Sequence, residues 1–583
     1  MERRVLIAVF LSFLVLYGYQ ALFVPPVPPA SQTSATSTRQ ESRAQESAAV
    51  LSTDPTASTT EIAAEPPLVK GDLTEREIVV ETATVQAVLS NRGGRVVHWR
   101  LKKHLDDRGQ PVDLVPSDVP QDQPSPFSLR VEDEGVTRRL NSSLYSATGD
   151  TNGRLDATAN PATLVFEMQD AVGVRARKEF RFEPSDYVVA FSVTVVQGDE
   201  ALNPVVLWGP GLGDIGSTAA GGSFFTGNYV QPPQAIFYKD NEVTRVSAGS
   251  LAEQPLQEGQ FRFVGIDDHY FLAAALAPGQ ARVELRELTL PGAGETQRQL
   301  VTQTFRFAKP PQNVRFFLGP KQFDLLKSID GELVRAINFG MFAWLVLPLL
   351  SVLKWLYAYV GNYGTAIILL TILINIVIFP LRHKSVVSMR KMQMLQPQLK
   401  AIQDRYAGLK VTDPAKQKMN TEVMNLYREK GVNPASGCVP MLLTMPVLFA
   451  FYSLLSQAIE LRGAPFGFWI HDLSQKDPFY VTPLLMGASM FWQQRITPTT
   501  MDPAQAKMMM FMPVVFTAMF INFPSGLAIY YFTSNLWTIG QQYFTNWLIG
   551  PPAAQAIRPP AEKRLKSAGA GRTPGAEPKA ENP

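Results

Sequence analysis

Three polar side chains fall within or directly after one apolar segment of the chain. Thr371, Asn375 and Arg382 are separated by 4 and 7 residues. Since a helix turns about 100° per residue, all three lie on one face, within about 40° of each other. Hydroxyl, amide and guanidinium groups on such a face can hydrogen-bond polar groups that hydrocarbon would leave unpaired. The spacing indicates a polar surface that runs from the middle of the apolar segment to a cation at its end.

A second cluster, Asp267-Asp268-His269, combines residue types that serve as metal ligands or acid–base groups. Adjacent residues of a strand face opposite sides, so these side chains would not converge on one site. The pattern predicts a loop or a strand edge, and a groove for sugars or peptides stays open as the alternative. Cys438 is the single cysteine. The sequence predicts no enzyme activity, no metal site and no cofactor.

The elements that must position the polar face are membrane-spanning helices. No charged residue occurs between Met508 and Ile557, which is long enough for two spans, because one span needs about 20 apolar residues. The first span is predicted to be an uncleaved signal anchor, with a cleavable signal peptide as the alternative. The six predicted spans are Val5–Phe23, Gly361–Leu381, Val439–Ile459, Pro478–Gln494, Met508–Asn522 and Leu527–Ile549.

Basic residues fix the predicted orientation of these spans. Residues 382–430 contain eleven Lys or Arg side chains against four acidic ones, and the tail from Arg558 is basic again. Since basic loops stay in the cytoplasm, this segment and both termini are predicted there, with residues 70–322 outside. A seventh span at 339–359 would invert the basic segment. We therefore predict an amphipathic helix on the bilayer surface for residues 323–360.

Apolar residues recur at helical spacing in the basic segment. Steps of 3 and 4 residues run over 392–406 and, after a Gly/Pro break, over 419–426. Two helices folded as an antiparallel hairpin explain this pattern. The hairpin either packs only on itself or presents flexible thioethers to varied apolar partners. The candidate receiving residues are Met389, Met392, Met394, Met419 and Met424.

Residues 70–322 show a different pattern. Apolar residues alternate with smaller or polar ones from Tyr187 to Val195, and this period of two indicates a half-buried strand. Turn signals such as Asn91–Gly94 separate similar runs. The segment is predicted to form one large antiparallel β-sandwich.

The predicted fold class is a polytopic α-helical membrane protein with six transmembrane helices, five forming a core, and a large extracytoplasmic antiparallel β-sandwich domain. The linker after the anchor is rich in Pro, Ser, Thr and Ala and is predicted to be disordered. The predicted boundaries are 1–23 for the anchor, 24–69 for the linker, 70–322 for the sandwich, 323–360 for the surface helix, 361–381 for the second span, 382–432 for the hairpin, 433–550 for the last four spans and 551–583 for the basic tail.

Nine short motifs stand in order along the second half of the chain. They are VGNYG (360–364), FPL (379–381), MQMLQP (392–397), VNP (432–434), GCVP (437–440), MP (445–446), PFGFWIHDL (465–473), PTT (498–500) and FPSGLAIYY (523–531). With these motifs the chain resembles the YidC/Oxa insertase family, most densely over about 340–550. The anchor and the β domain resemble the layout of Gram-negative members.

The resemblance implies an insertase of the bacterial inner membrane. In that family five core spans enclose a hydrophilic groove, open to cytoplasm and lipid and closed outside, through which nascent membrane proteins enter the bilayer. Such a groove lowers the free-energy barrier to moving polar residues across the bilayer, because an unpaired polar group is costly in hydrocarbon. The resemblance also implies that the protein works alone or with the Sec translocon and that its tail lies near the ribosome. It implies contact with membrane lipids and no direct nucleic-acid substrate.

At one groove position this sequence departs from the family pattern. Family members usually carry an arginine five residues before the proline of the Phe/Tyr-Pro-Leu motif, and here that residue is Asn375. We expect Arg382, two turns along the same face, to supply a weaker substitute. The resemblance also implies that Thr371 and Tyr531 line the client-contact side of the groove, with Tyr530 as a neighbouring candidate.

Two other function classes make different demands on the sequence. A solute channel or transporter would need ionisable pairs within spans or inverted repeats, and the core spans carry no charged residue between their ends. A membrane-anchored periplasmic chaperone or scaffold would need only one anchor. The sequence therefore favours the insertase.

Overall fold

The computed structural model describes residues 68–550, apart from 107, 118, 121, 122, 124, 214–230, 254, 292–296, 407–413, 433–438 and 498–502. The predicted anchor, most of the predicted linker and the basic tail lie outside these residues. The chain divides into two compact units. The first consists of the described residues within Met1–Pro348, Tyr452–Lys476 and Ile521–Pro524, and the second consists of those within Leu349–Phe451, Asp477–Phe520 and Ser525–Pro583.

The described part of the first unit is built mainly from strands. They are β1 (Leu68–Lys70), β2 (Glu77–Glu81), β3 (Val85–Ser90), β4 (Arg95–Leu105), β5 (Pro111–Asp113), β6 (Leu129–Arg130), β7 (Ser146–Thr148), β8 (Arg154–Asp156), β9 (Ala162–Asp170), β10 (Val174–Phe182), β11 (Val188–Gln197), β12 (Glu200–Leu202), β13 (Val205–Trp208), β14 (Gln234–Lys239), β15 (Glu242–Ser247), β16 (Leu256–Asp267), β17 (Phe271–Pro291), β18 (Gln297–Phe307) and β19 (Val314–Pro320). A short helix, α1 (Glu134–Ser142), precedes β7. In a 14-stranded sheet nine strands follow the path β1-β9-β10-β11-β19-β17-β16-β14-β15, and five pair beside it: β7 with β9, β12 with β11, β18 with β17, β13 with β18, and β6 with β13. A 5-stranded sheet follows β5-β4-β3-β2-β8.

The alternation predicted around residues 187–195 is confirmed in β11. Val189, Phe191, Val193 and Val195 are each at most 1% exposed. The strand pairs antiparallel with β10, and the ring of Phe191 lies 4.9 Å from that of Phe127. One face of β11 therefore builds the aromatic core of the domain.

The two sheets contact each other, but they are not entirely antiparallel. The Trp99 indole of β4 donates to the Leu318 carbonyl of β19 at 2.9 Å. However, β2 pairs with β8 in parallel, so the prediction of a purely antiparallel sandwich is wrong at this pair. Parallel neighbours need a long crossover connection, and the five strands and one helix between β2 and β8 supply it.

A lysine side chain is completely buried between the sheets. The Lys178 ammonium on β10 donates to the carbonyls of Gly93 at 2.6 Å, Phe127 at 2.8 Å and Gly94 at 3.2 Å. Burial, helped by the charge of Arg95, lowers the pKa of Lys178 to about 7. Gly93 and Gly94 have φ of +69° and +54°, a conformation that favours glycine. This turn therefore brings its carbonyls to the ammonium.

The predicted linker extends slightly too far. Its last two residues, Leu68 and Val69, belong to β1 (Leu68–Lys70), which pairs with the edge of β9 and places Leu68 opposite Asp170. The prediction was based on composition, whereas an edge strand offers unpaired backbone groups that a short extended segment can join.

Nine helices follow the β domain in the described residues. They are α2 (Phe323–Ile329), α3 (Ala343–Val360), α4 (Tyr363–Met394), α5 (Gln396–Arg405), α6 (Pro414–Glu429), α7 (Val439–Gln457), α8 (Val481–Ile496), α9 (Pro503–Phe520) and α10 (Ser525–Ile549). The Asn362 side chain starts α4 by accepting from the Thr365 amide at 3.0 Å. The last four helices lie within a few residues of the predicted spans.

Residues 323–360 are predicted to form one helix, and this prediction is wrong. They form two helices, α2 and α3, with two 3-10 turns between them. The turns are Gly331–Ala336 and Gly340–Phe342. Asp330 accepts from the Glu332 amide at 2.9 Å and so starts a new turn, and Gly340 has a φ of +67°. These local signals end α2 before α3 begins.

The predicted boundary between the second span and the hairpin, at residues 381 and 382, is not a break. The helix α4 runs through it to Met394 with Pro380 inside. Arg, Lys and Met favour helices, and they continue the helix after the apolar segment. The hairpin thus consists of the end of α4 with α5 on one side and α6 on the other.

Two helical segments of the described residues are long and apolar enough to cross a membrane, Gly340–Val360 and Tyr363–Met394. A shorter apolar helix runs over Met509–Phe520. The first segment lies where the sequence predicts a helix on the bilayer surface, so its position in the membrane stays a prediction.

Candidate functional site

The polar face predicted on α4 begins with two buried residues. Thr371 has no exposed surface, and its hydroxyl donates to the Ile367 carbonyl at 2.7 Å. Asn375 is 5% exposed, and its amide nitrogen donates to the Thr371 carbonyl at 2.8 Å. These bonds to the helix's own backbone leave the Asn375 amide oxygen available for another donor.

Arg382 provides that donor from seven residues further along α4. Its Nη1 donates to Asn375 Oδ1 at 3.1 Å and to Thr538 Oγ1 at 2.9 Å. Helical side chains lean toward the N-terminus of their helix, so Arg382 reaches back along α4 toward Asn375. Both partners are neutral, so neither cancels the positive charge.

The two candidate tyrosines of α10 have different surroundings. The Tyr530 ring is 4% exposed and stacks on Phe451, with ring centroids 4.2 Å apart. Tyr531 is half-buried and meets the edge of Phe520 at 4.9 Å. Tyr531 therefore retains accessible surface, whereas Thr371 and Tyr530 are buried in this structure.

Sequence reasoning missed Thr538, which holds Arg382 from the neighbouring helix. The hydroxyl of Thr538 also donates to the Ser534 carbonyl at 2.8 Å. Thr538 follows Tyr531 by seven residues and so lies on the same face of α10. That spacing could have identified it. Asn535, four residues after Tyr531, donates to Ser489 Oγ at 3.1 Å and joins α10 to α8.

The candidate methionines of the hairpin lie on α4 and α6. Met394 and Met424 are 59% and 47% exposed, and Met389, Met392 and Met419 are half-buried. Glu422 of α6 accepts from Arg405 at 2.9 Å and from the Tyr406 hydroxyl at 2.8 Å, which ties the end of α5 to α6. Part of the thioether surface is therefore accessible, and hydrogen bonds join the two sides of the hairpin.

Asp267 is the last residue of β16, and Asp268 and His269 lie in the turn before β17, as predicted for a loop or a strand edge. They are nevertheless 0%, 4% and 6% exposed. No group of three or more His, Cys, Asp or Glu residues that could hold a metal ion occurs in the part of the chain that the structure describes. The Asp267 carboxylate accepts from the side chains of Gln231, Arg245 and Lys321, which belong to the same unit.

Two family models match consecutive parts of the chain. The YidC periplasmic domain matches residues 77–352, and the 60Kd inner membrane protein matches residues 355–550. A membrane protein insertase YidC of Geobacter metallireducens is 34% identical over 95% of this chain and 100% of its own length. The chain belongs to the YidC family of membrane protein insertases. A YidC relative from Pelobacter propionicus is 36% identical over 94% of this chain and 100% of its own length.

Membership of the YidC family indicates where the main parts of the molecule are located and what they do. The chain is an inner membrane protein with a periplasmic, β-rich domain and apolar helices. Its function is membrane protein insertion, and the YidC family is not a family of catalysts of covalent chemistry. A crystal structure titled as an active YidC insertase with its first transmembrane domain resolved aligns with 82% of this chain and 95% of that chain, at 19% identity and a TM-score of 0.33.

Proposed function

We propose that this protein inserts nascent membrane proteins through a lipid-open polar groove, and that Arg382 supplies the groove's positive charge. Six spans cross the membrane with both termini in the cytoplasm, and five of them form the groove. The protein works alone or with the Sec translocon, and its tail lies near the ribosome. Helix α3 lies on the bilayer surface.

The observation that carries this proposal is the pair of bonds from Arg382 to Asn375 and Thr538. An arginine seven residues nearer the cytoplasm puts its guanidinium beside the position where family members usually carry their own. Asn375 and Thr538 accept from it without neutralising it. An acidic client segment that enters from the cytoplasm therefore meets a cation, which lowers the cost of its leaving water.

The test is rescue of cells depleted of their own insertase. The full chain and its Asn375→Arg variant are expressed, and insertion of a single-span client with an acidic translocated tail is followed by protease protection. We expect both to restore insertion, because each groove contains a guanidinium. Failure of the wild-type chain, with correct membrane accumulation, would overturn the groove mechanism. Rescue by Asn375→Arg alone would show that Arg382 does not replace the missing arginine.

The hairpin is proposed to receive clients through its exposed methionines. Replacing Met394 and Met424 together by glutamine removes two flexible apolar contacts, each worth about 0.5–1 kcal/mol. We expect insertion yield at limiting client to fall about five-fold. The matched control is the double change to leucine, which keeps apolar side chains of similar volume and should retain most of the yield. Equal yields for the glutamine and leucine variants would exclude this role.

A further inference from the structure

The connection between α7 and α8, residues 458–480, carries an uncharged tip. The tip, residues 463–470, has the sequence GAPFGFWI and contains no charged side chain. All charged residues of the connection stand on either side of the tip, in 458–462 and 471–480. Apolar and aromatic side chains are thus concentrated in the middle of a segment whose two ends are charged.

A tight turn of fixed geometry lies in this tip. The Phe466 amide donates to the Ile470 carbonyl at 3.1 Å, and the Ile470 amide donates to the Gly467 carbonyl at 3.1 Å. The second bond closes a four-residue turn from Gly467 to Ile470, so Phe468 is the first of its two central residues. Backbone hydrogen bonds therefore determine where the Phe468 side chain lies.

Phe468 combines two features that contacts within the chain do not explain. Its φ is +55°, in a backbone region that glycine adopts readily and bulky residues rarely adopt. Its side chain is 95% exposed, so packing within the chain does not compensate for this conformation. The neighbouring Trp469 ring lies 5.9 Å from the Phe468 ring. A strained backbone that presents an apolar ring outward indicates a surface outside the chain.

The residues around the turn pack inward and support it. Ile470 and Leu473 are 3% and 1% exposed, and the Leu473 amide donates to the Ala464 carbonyl at 3.0 Å. The Asp472 carboxylate accepts from the Ser474 amide at 2.8 Å. The turn is therefore attached to a folded base, and it presents Phe468 from a fixed position rather than from a flexible loop.

The connection between α9 and α10 meets the same base. Lys476 forms an isolated β-bridge with Pro524, and the Phe523 ring lies 5.8 Å from that of Tyr452 near the end of α7. In the proposed topology both connections lie on the periplasmic side, because each joins a span that leaves the cytoplasm to one that returns. The base therefore lies where two pairs of spans leave the bilayer, which brings the tip close to lipid.

We infer that the tip inserts the Phe468 ring into the periplasmic leaflet of the bilayer. Aromatic side chains concentrate at the membrane interface, and apolar groups anchored there enter it by about 5–10 Å. Lipid fits the tip better than a protein partner, because an uncharged tip needs no complementary charges and lipid begins where the spans end. The inference rests on the proposed function, since α7 and α8 are spans in that topology.

The depth of the tip is measured on the purified full chain in nanodiscs of phosphatidylcholine and phosphatidylglycerol. Since Cys438 is the single cysteine, Cys438→Ala gives a background without thiols. A bimane probe is attached at Phe468→Cys or, as the matched control, at Gln475→Cys, an exposed polar position of the same connection. We expect doxyl-labelled lipid to quench the probe at least about three-fold more strongly at 468 than at 475, and aqueous iodide to show the reverse order.

The contribution of the native ring is measured with the probe at His471→Cys, an exposed position directly after the tip. Phe468→Gly removes the ring and suits the positive φ, so the turn should keep its fold. We expect lipid quenching at 471 to fall about two-fold in Phe468→Gly, because the ring no longer holds the tip in the bilayer. Phe468→Leu retains an apolar side chain and should keep most of the quenching.

Equal quenching at 468 and 475 overturns the inference, and so does unchanged quenching at 471 in Phe468→Gly. If position 468 is open to iodide in nanodiscs but shielded in native membrane vesicles, a protein covers the tip and the assignment to lipid is wrong. None of these measurements requires insertion of a client. Failure of the chain to rescue depleted cells therefore tests the proposed function separately.

Discussion

Replacing Arg382 by alanine should reduce insertion of a client with an acidic translocated tail by at least about ten-fold. Two unit charges about 8 Å apart attract by about 2 kcal/mol at an effective dielectric constant of about 20. A loss of that size in the rate-limiting step corresponds to more than a factor of ten in rate. A client with a neutral tail gains little from the charge, and its insertion should fall much less.

The decisive comparison is the double variant Asn375→Arg with Arg382→Ala. It restores a guanidinium at the usual family position and should recover most of the insertion of the acidic client. Arg382→Lys keeps the charge but loses the planar group and should be intermediate. Insertion rates are measured by pulse labelling and protease protection in depleted cells. If Arg382→Ala inserts the acidic client as fast as wild type, the substitution hypothesis is wrong.

Replacing Lys178 by methionine should lower the free energy of unfolding of the β domain by about 3 kcal/mol. Methionine fills a similar volume, but it cannot donate to the carbonyls of Gly93, Gly94 and Phe127. Removing the cost of a buried charge offsets part of this loss. Thermal unfolding of the full chain, followed by tryptophan fluorescence, measures the change. Lys103→Met, at an exposed position of β4, is the matched control and should change stability by less than about 0.5 kcal/mol.

The same variant should also change how stability depends on pH. The pKa of Lys178 is about 7 in the folded state, against 10.5 for an ordinary lysine. Between these values the unfolded chain binds more protons, so this group's contribution to stability rises with pH. The contribution is fully present above pH 10.5 and is lost as the pH falls toward 7. Wild type should therefore gain stability relative to Lys178→Met between pH 7 and 9.5, and parallel curves would contradict a buried amine with a lowered pKa.

Features that depend on local pattern were predictable from the sequence. The period of two identified β11, and the length of the uncharged segments located α7 to α10 within a few residues. The shared face of Thr371, Asn375 and Arg382 also followed from spacing alone. These predictions succeed because burial on one side of an element imposes its own period on the sequence.

Features that depend on distant partners were not predictable. Nothing near Lys178 in sequence indicates that three carbonyls from two other segments surround it. His269 was expected in a loop or at a strand edge, but its contact with the Ser456 carbonyl, 187 residues away, was not expected. Thr538 became a candidate only when α10 was seen beside Arg382. Long-range packing decides such contacts, and one sequence does not reveal which segments meet.

The bond between Arg382 and Asn375 also spans the place where α4 is weakest. Pro380 has no N–H, so the Ile376 carbonyl loses its usual partner and the helix can bend there most easily. The hydrogen bond from the Arg382 guanidinium to Asn375 crosses this point of the helix. A bend at Pro380 that moves residue 382 away from residue 375 must break this bond. Bending of α4 and movement of the positive charge away from Asn375 are therefore coupled.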